Sequence, residues 1–389
     1  MDLVVATLVA ASACALLSLT SGTFFIGDDW GLLAQGLTDR GLVRPYNDHF
    51  SFTILAVYRL LAEMFGLVYL PFRITGVLAL AAIPSVLYAT TRSRFGSLIA
   101  AVAALLVVGA PRLELQPYIL NHYLVAIGAI VCAFALDRGK DLLLLAGLGL
   151  ALSAASGGLA VGVACIVHLG LTRARWRRWL ATLGPLALWA LWYLTRSTDS
   201  AFQPVDRPSL TEAIGYAGNV VLSPFDGRDG LVVAALVLAF LGYIWRRKLA
   251  DPANLGAWGA ALLAWGCGLA YQRGSQGTVA VFGRYQLLAL TFVLLAVVPR
   301  EGIAKPPRRL MWAGLALTVV VVALRWVTVW PDLEERANRI RAFGELSQCT
   351  AIEGGELPPI TAEQISAVVD AYGLGDAECD ERPLVLPTP

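Results

Sequence analysis

The stretch that decides the fold runs from residue 137 to residue 178 and reads DRGKDLLLLAGLGLALSAASGGLAVGVACIVHLGLTRARWRR. It holds two apolar segments, residues 141 to 154 and 158 to 172, which meet at Ser156-Gly157-Gly158 and have Lys and Arg on both flanks. Apolar runs that end in basic residues are typical of helices that cross a membrane and return to the side where they began. The alternative is one interrupted span. Either way, the stretch predicts membrane helices rather than the core of a soluble domain.

The whole chain has the composition of a membrane protein. Of its 389 residues, 57% are hydrophobic and 15% are charged, and the mean hydropathy is +0.66. Soluble domains are about one quarter charged, so this composition excludes a cytosolic enzyme. The 30 basic and 28 acidic residues nearly balance, which argues against nucleic acid as a partner. We therefore predict an all-α integral membrane protein.

Working outward from the first stretch, the apolar segments that fit a hydrocarbon core of about 30 Å predict about eleven transmembrane helices. They cover residues 3 to 21, 71 to 91, 95 to 111, 118 to 136, 141 to 154, 158 to 172, 179 to 195, 229 to 245, 254 to 271, 284 to 299 and 309 to 330.

The basic residues predict which loops face the cytoplasm, because Lys and Arg in short loops stay on that side. The first segment lacks a basic n-region and a small-residue cleavage site, so we expect it to be retained as a helix. The amino terminus is then cytoplasmic and the carboxyl tail lies outside. Abundant Ala, Gly, Leu, Val and Arg suggest a GC-rich bacterium, which makes its cytoplasmic membrane the expected location. The basic residues of the alternate loops are Arg92 and Arg94; Arg138 and Lys140; Arg173, Arg175, Arg177 and Arg178; Arg246, Arg247 and Lys248; and Arg300, Lys305, Arg308 and Arg309.

The sequence predicts two parts of very different size. Residues 1 to 330 form the membrane domain, and residues 331 to 389 form a small outer tail. Within the membrane domain, residues 22 to 70 form a large first outer loop. Residues 52 to 70 of that loop carry apolar side chains at helical spacing, which suits a helix lying along the membrane interface.

The outer tail is predicted to be helical and to act as a structural cap. Residues 332 to 347 show helical periodicity, and Thr361-Ala-Glu-Gln364 matches a capping box that opens a second helix. Cys349 and Cys379 both fall in this tail. Because an outer compartment is oxidising, we predict a disulfide between them.

A pair of carboxylates follows the first span directly, in Gly27-Asp28-Asp29-Trp30. Adjacent carboxylates at a hydrocarbon boundary are costly unless they cap a helix, are paired or are functional. In one interpretation, Asp28 or Asp29 caps a helix that begins at Trp30. In the other, one of them acts as a general base. A cap needs only one carboxylate, and the pair alone leaves both interpretations open.

Two further outer loops hold candidate binding residues. Glu114 lies in the second outer loop and His122 at the mouth of the span that follows, where polar side chains are ordinary interfacial anchors. Arg284 and Tyr285 open the tenth span, where Arg284 either anchors the helix or binds a lipid phosphate bidentately. His168 is expected to be structural, and the three histidines lack the spacing of zinc ligands.

The order of these motifs resembles that of the C superfamily of glycosyltransferases (the GT-C fold), which includes protein O-mannosyltransferases and lipid A aminoarabinose transferases. The resemblance covers mainly residues 20 to 125. In those enzymes, the first span leads to an outer acidic motif, a Pro or His stretch, interfacial helices, and Gly and Arg before the second span. The matching residues here are Asp28-Asp29, Pro45 to His49, Gly66 and Arg73, and a later Arg284-Tyr285 resembles the family as well.

This resemblance implies an inverting glycosyltransferase on the outer face of the membrane. It would take a sugar from a polyprenyl-phosphate donor and pass it to a hydroxyl of a lipid, glycan or protein of the cell envelope. Asp28 or Asp29 would be the base. No cofactor is certain, and a divalent metal ion, held by Asp29 and Glu114, is the one candidate. The donor phosphate would be bound by Arg284 and Arg73, and the substrates by His49, Glu114, His122 and Tyr285.

Two other classes compete with this interpretation. A transporter or flippase of lipid-linked sugars would carry charged or interrupted helices near the membrane midplane, whereas the polar residues here crowd the outer boundary. A membrane O-acyltransferase needs a His, and its acyl donor normally approaches from the cytoplasm, whereas His49 and His122 are predicted outside. We rank glycosyl transfer first, transport second and acyl transfer third, with membrane lipids as partners in every case.

Overall fold

The structure is a computed structural model, and it describes residues 2–23, 25, 28–36, 41–46, 50–108, 119–196, 209–222, 251–273, 283–296 and 308–352. Within these ranges the regular elements are all α-helices. They are α1 (Asp2–Leu19), α2 (Asp28–Gly36), α3 (Phe52–Phe65), α4 (Tyr69–Phe95), α5 (Ser97–Val108), α6 (Leu120–Arg138), α7 (Asp141–Ala154), α8 (Gly158–Thr172), α9 (Trp176–Thr195), α10 (Leu210–Leu222), α11 (Pro252–Arg273), α12 (Gly283–Ala296) and α13 (Arg308–Ile352).

A helix is present at every predicted span that falls in the described ranges, and α7 and α8 match their predicted bounds to the residue. Among the described helices, five are long and apolar enough to cross a membrane: α1, α4, α6, α11 and α13. Three more, α7, α8 and α12, are apolar but shorter. The predicted span at 229 to 245 lies outside the described residues, and the count of eleven spans stays a prediction.

The prediction of two helices at the carboxyl end of the membrane domain was wrong. Residues 309 to 330 and 332 to 347 belong to one continuous helix, α13, with Pro331 inside it. At about 1.5 Å per residue, its 45 residues span about 68 Å, roughly twice the hydrocarbon thickness. Proline removes one backbone donor without ending a helix when the freed group finds other partners, and Pro331 is exposed.

The rest of the predicted tail lies outside the described residues, including the helix opened by Thr361 and the sulfur of Cys379. The predicted Cys349–Cys379 disulfide therefore stays a prediction. Among the described side chains no disulfide is found, and Cys14, Cys132, Cys165 and Cys267 are free, whereas the side chain of Cys349 lies outside the described part.

One helix was not predicted at all. Helix α10 begins after Ser209, whose backbone N–H and hydroxyl both donate to Glu212 Oε2, at 2.7 and 2.8 Å. The Glu212 N–H donates back to Ser209 Oγ at 3.3 Å. This is a capping box, and the Ser-x-x-Glu pattern at residues 209 to 212 was the signal that could have found it.

Helices α6 and α7 cross with their backbones in close contact. A Cβ added at Gly128 would lie 2.6 Å from the carbonyl oxygen of Gly147, and one added at Gly147 would lie 2.9 Å from Val131 Cγ1. Membrane helices pack closely where small residues face each other, because lipid provides no hydrophobic force to drive them together. The two glycines therefore fix the distance between α6 and α7.

The charged groups of the predicted cytoplasmic loops gather at one end of the bundle, here called the basic end. Arg92 lies 2.8 Å from Asp2, and Arg178 lies 3.6 Å from Asp141. Arg138 Nη2 donates to the Ser93 hydroxyl at 3.2 Å. The opposite end, called the outer end, holds the carboxyl end of α1 and the amino ends of α4, α6, α8 and α12. Which compartment each end faces stays a prediction.

Candidate functional site

Among the carboxylates that the structure describes, the buried one at the outer end is Asp29, on α2. Helix α2 begins at Asp28, two residues before the predicted start, and Asp29 is 0% exposed. The Tyr58 hydroxyl, from α3, donates a hydrogen bond to Asp29 Oδ1. A carboxylate that only capped α2 would need no partner on another helix. The Asp29 carboxylate of the predicted acidic motif has such a partner, on α3.

Aromatic rings enclose this hydrogen bond, and Asp29 with these rings is called the Asp29 cluster. The Tyr58 ring packs against Phe72 of α4 with centroids 5.1 Å apart, and Phe72 packs edge-on against Phe25 at 4.9 Å. Trp30 Nε1 donates to the Phe25 carbonyl at 3.2 Å. All four rings are almost completely buried. Burial raises the pKa of Tyr58 well above its ordinary value, and the charge of Asp29 raises that pKa further.

The Arg44-Pro45-Tyr46 segment lies against α2, the helix that carries Asp29. Gln35 Nε2 donates to the carbonyls of Gly41 and Arg44, at 2.9 and 3.1 Å. A Cβ at Gly31 would lie 2.6 Å from the Tyr46 hydroxyl oxygen, so only glycine fits there without displacing Tyr46. The acidic motif and the Pro stretch, with Asp29 and Pro45 16 positions apart in the sequence, are therefore neighbours in space. His49, at the end of that stretch, lies outside the described residues.

Arg73, the predicted phosphate ligand in the first turns of α4, has a structural partner. Its Nη1 donates to the Thr20 carbonyl at the carboxyl end of α1. Its Nε is buried and has no hydrogen-bond partner among the described residues. The role of Arg73 in phosphate binding stays a prediction.

His122 and Tyr285, predicted from separate loops as substrate-binding residues, lie together. Their ring centroids are 5.6 Å apart, and both rings contact Trp265 of α11, at 6.2 Å from His122 and 5.8 Å from Tyr285. These three residues are called the aromatic triad. His122 Nδ1 lies 2.5 Å from Asn121 Oδ1. Arg284 is the residue before Tyr285 in α12, and its side chain is outside the described part.

Helix α6 connects the two groups of residues. Leu120 packs in the same apolar cluster as Phe25, Trp30 and Tyr58, and His122 follows two residues later, about 3 Å along the helix axis. A second link joins α3 to α7, where the Thr53 and Ser153 hydroxyls are 2.6 Å apart. The Asp29 cluster and the aromatic triad therefore lie at the same end of the bundle.

The described residues do not form a metal site. No group of three His, Cys, Asp or Glu side chains comes together within the described ranges, and the Asp29 carboxylate is already hydrogen-bonded to Tyr58. Glu114 and the side chain of Asp28 lie outside the described residues. A divalent ion held by Asp29 and Glu114 therefore stays a prediction.

Two residues of the site were missed by the sequence reasoning. Tyr58 lies in the buried stripe of α3 with Ile54, Leu55 and Ala62. A hydroxyl in an otherwise apolar stripe was a signal that it has a buried partner. Trp265 gave no comparable signal, because a tryptophan in an apolar span is ordinary.

Comparison with known proteins places the fold. No family model matches the chain, and no curated protein is similar to it in sequence. Solved structures that share its fold include ArnT from Cupriavidus metallidurans, a lipid A aminoarabinose transferase of the GT-C fold, both bound to undecaprenyl phosphate and in the apo state. Each matches with a TM-score of 0.52 and 17% identity, over 95% of this chain and 76% of the ArnT chain. The predicted resemblance to the GT-C fold is confirmed at the level of the fold.

Proposed function

We propose that this protein is an inverting glycosyltransferase that moves a sugar from a polyprenyl-phosphate donor to a hydroxyl acceptor at the outer face of the membrane. The observation that carries the proposal is the buried Asp29 carboxylate, enclosed by the first outer loop of a GT-C fold. A buried charge is costly, and a costly group on the loop that follows the first span supports a functional site there.

The two carboxylates of the pair then have different tasks. Asp29 is enclosed and bound to Tyr58, so an acceptor hydroxyl has no access to it in this structure. We assign Asp29 to holding α2 in place and Asp28 to the reaction. The residue that precedes a rigidly held anchor is well placed to act as a base, since catalytic groups work best on fixed elements.

The reaction is a single displacement. The acceptor oxygen forms a bond to the anomeric carbon as the bond from that carbon to the phosphate oxygen breaks, and the acceptor proton passes to the Asp28 carboxylate. The polyprenyl phosphate leaves with the electron pair. A phosphate is a good leaving group and needs no acid to protonate it. One base and one cationic group for the phosphate are therefore sufficient.

Arg284 is proposed to bind the departing phosphate. A guanidinium matches a phosphate with two parallel hydrogen bonds, and Arg284 adjoins Tyr285 of the aromatic triad. The ArnT structure with undecaprenyl phosphate supports a lipid of this class as the carrier. The triad would then line the path of the sugar, with His122 and Tyr285 as its polar members.

The test is a donor-consumption assay with the purified protein in lipid nanodiscs. The probes are synthetic undecaprenyl phosphates that carry glucose, mannose, galactose, arabinose or aminoarabinose, with bacterial envelope extract as acceptor. We expect release of undecaprenyl phosphate from at least one probe. Asp28→Asn should lower the rate by about 10²- to 10⁴-fold, and Arg284→Ala should weaken binding of undecaprenyl phosphate.

The same assay separates the competing classes. Wild-type activity in the Asp28→Asn variant would refute the role of this carboxylate. Movement of intact lipid-linked sugar across a proteoliposome membrane, without its consumption, would instead identify a flippase.

A further inference from the structure

The carboxyl end of α1 is held by two arginines from distant parts of the chain. Arg341 of α13 donates from Nε to the Ser21 carbonyl and from Nη2 to the Leu19 carbonyl, both at 2.6 Å. Arg73 of α4 donates to the carbonyl between them, that of Thr20. The last carbonyls of a helix have no partners within it and carry its negative dipole end, so cations bind there favourably.

Packing and a further hydrogen bond hold Arg341 in place against the end of α1. Leu333 and Ala337 of α13 pack against Leu19 in one buried cluster, and Arg341 follows Ala337 by four residues, on the same face of the helix. Arg341 Nη1 also donates to the Asn338 side chain, which orients the guanidinium. The segment of α13 beyond Pro331 thus carries a side chain, that of Arg341, which reaches the end of α1.

What Arg341 holds is the start of the acidic loop. Gly22 has a φ of +75°, a backbone conformation that favours glycine, and turns the chain away from the α1 axis. Three residues later, Phe25 is completely buried in the cluster that also holds Trp30 and Phe72. The position from which the chain enters the Asp29 cluster is therefore set by the carbonyls that the two arginines bind.

We propose that Arg341 is a positioning residue for the acidic motif, through which the outer segment of α13 controls the geometry of Asp28 and Asp29. This inference rests on the proposed function, in which Asp28 is the base. Arg341 acts on the carbonyls of Leu19 and Ser21 and does not touch the substrate. A fork of donors can bridge two carbonyls at once, whereas the ammonium of a lysine is a point charge.

Hydrogen exchange of the full-length protein in nanodiscs tests the inference without any substrate. We compare peptides from residues 19 to 36 in wild type, Arg341→Met and Arg341→Lys. The matched control is Arg336→Met, on an exposed position of the same helix. We expect faster exchange in these peptides for Arg341→Met, an intermediate effect for Arg341→Lys, and the wild-type pattern for Arg336→Met. Unchanged exchange in Arg341→Met overturns the inference.

Kinetics with the undecaprenyl-phosphate sugar that the wild type consumes give the second readout. A misplaced base lowers kcat and leaves donor binding intact, so we expect Arg341→Met to lose about tenfold or more in kcat with an unchanged KM for the donor. If Arg341→Met does not fold, Asn338→Ala removes the orienting partner and keeps the charge, and a smaller loss of kcat is expected.

The two readouts keep the inference and the proposed function separate. If the exchange of residues 19 to 36 accelerates while Asp28→Asn retains full activity, the proposed function fails. If Asp28→Asn is inactive while Arg341→Met accelerates exchange and keeps its wild-type kcat, the proposed function stands and the positioning role is refuted.

Discussion

The same pair of groups occurs at both ends of the bundle. At the outer end, the Tyr58 hydroxyl donates to Asp29, and at the basic end the Tyr88 hydroxyl donates to Asp2. The Asp29 residue is 0% exposed, whereas the side chain of Asp2 is 67% exposed and also pairs with Arg92 at 2.8 Å. Water and Arg92 stabilise the charge of Asp2, while the protein alone must stabilise that of Asp29.

Because the same tyrosine–aspartate hydrogen bond occurs at both ends, the bond by itself does not indicate a functional site. A carboxylate that shares its charge with solvent costs little to place at a membrane surface. A carboxylate that is sealed among aromatic rings must be matched by fixed donors. The second arrangement is the one that we associate with a site.

The largest effect is expected for Tyr58→Phe. The substitution removes one donor from a buried carboxylate, which costs about 1–3 kcal/mol of stability, and more when the acceptor is charged. Tyr88→Phe is the matched control at the basic end, and it should shift thermal unfolding much less, because water replaces the lost donor at Asp2. Equal shifts of the unfolding temperature in detergent for the two variants would contradict the comparison.

A smaller loss of stability is expected from the ionisation of Tyr58 at alkaline pH. The folded-state pKa of Tyr58 lies well above its ordinary value of 10, because of burial first and of the Asp29 charge second. A group with a raised pKa contributes stability that is fully present below pH 10 and is lost as the pH rises further. The loss grows as the pH rises above 10 and stops growing only above the folded-state pKa.

The measurement is the unfolding temperature of wild type and Tyr58→Phe at pH 8 and at pH 11. The wild type should lose more stability over this interval than the variant. An identical loss would mean that the Tyr58 hydroxyl titrates like an exposed tyrosine.

The smallest loss of stability is expected at an exposed ion pair of the outer end. It tests whether burial of a charged group, rather than its location at this end, decides the size of the loss. Arg59 and Glu63 form an exposed ion pair at 2.7 Å on α3, the helix that also carries Tyr58. Glu63→Gln should cost only about 0.2–0.5 kcal/mol, and salt should reduce that difference further. A loss as large as that of Tyr58→Phe would show that the outer end is fragile everywhere, rather than sensitive at its buried carboxylate.

The sequence predicted the helices best where basic residues and glycines mark their ends. The bounds of α7 and α8 follow from the basic loops on their flanks and from the glycines between them. Helix α13 was predicted as two helices because Pro331 separates an apolar part from a charged part. When a helix passes from lipid into water, its side chains change from apolar to charged while the helix itself continues. Hydropathy alone therefore could not show that α13 continues past Pro331.

The candidate site was predicted as a set of residues but not as a set of contacts. The roles of His122 and Tyr285 were inferred separately, and their contact depends on the packing of α6 against α12. The bond from Tyr58 to Asp29 joins residues 29 positions apart, and Arg341 reaches Ser21 across 320 positions. Such pairings follow from how helices pack, and no local pattern encodes them.

Helices α7 and α8 have 14 and 15 residues, or about 21 and 23 Å, and they are joined by the turn at Ala155–Gly157. With their charged ends at one head-group layer, this turn stops roughly 7–9 Å short of the other edge of a hydrocarbon layer about 30 Å thick. Protein covers the turn, because Ala155 and Gly157 are buried and the Ser153 hydroxyl lies 2.6 Å from the Thr53 hydroxyl of α3. Trp265 lies against this turn, with a Cβ at Gly157 falling 3.0 Å from its ring. The short hairpin thus leaves a recess at the outer end, in which α3 and Trp265 pack over the turn.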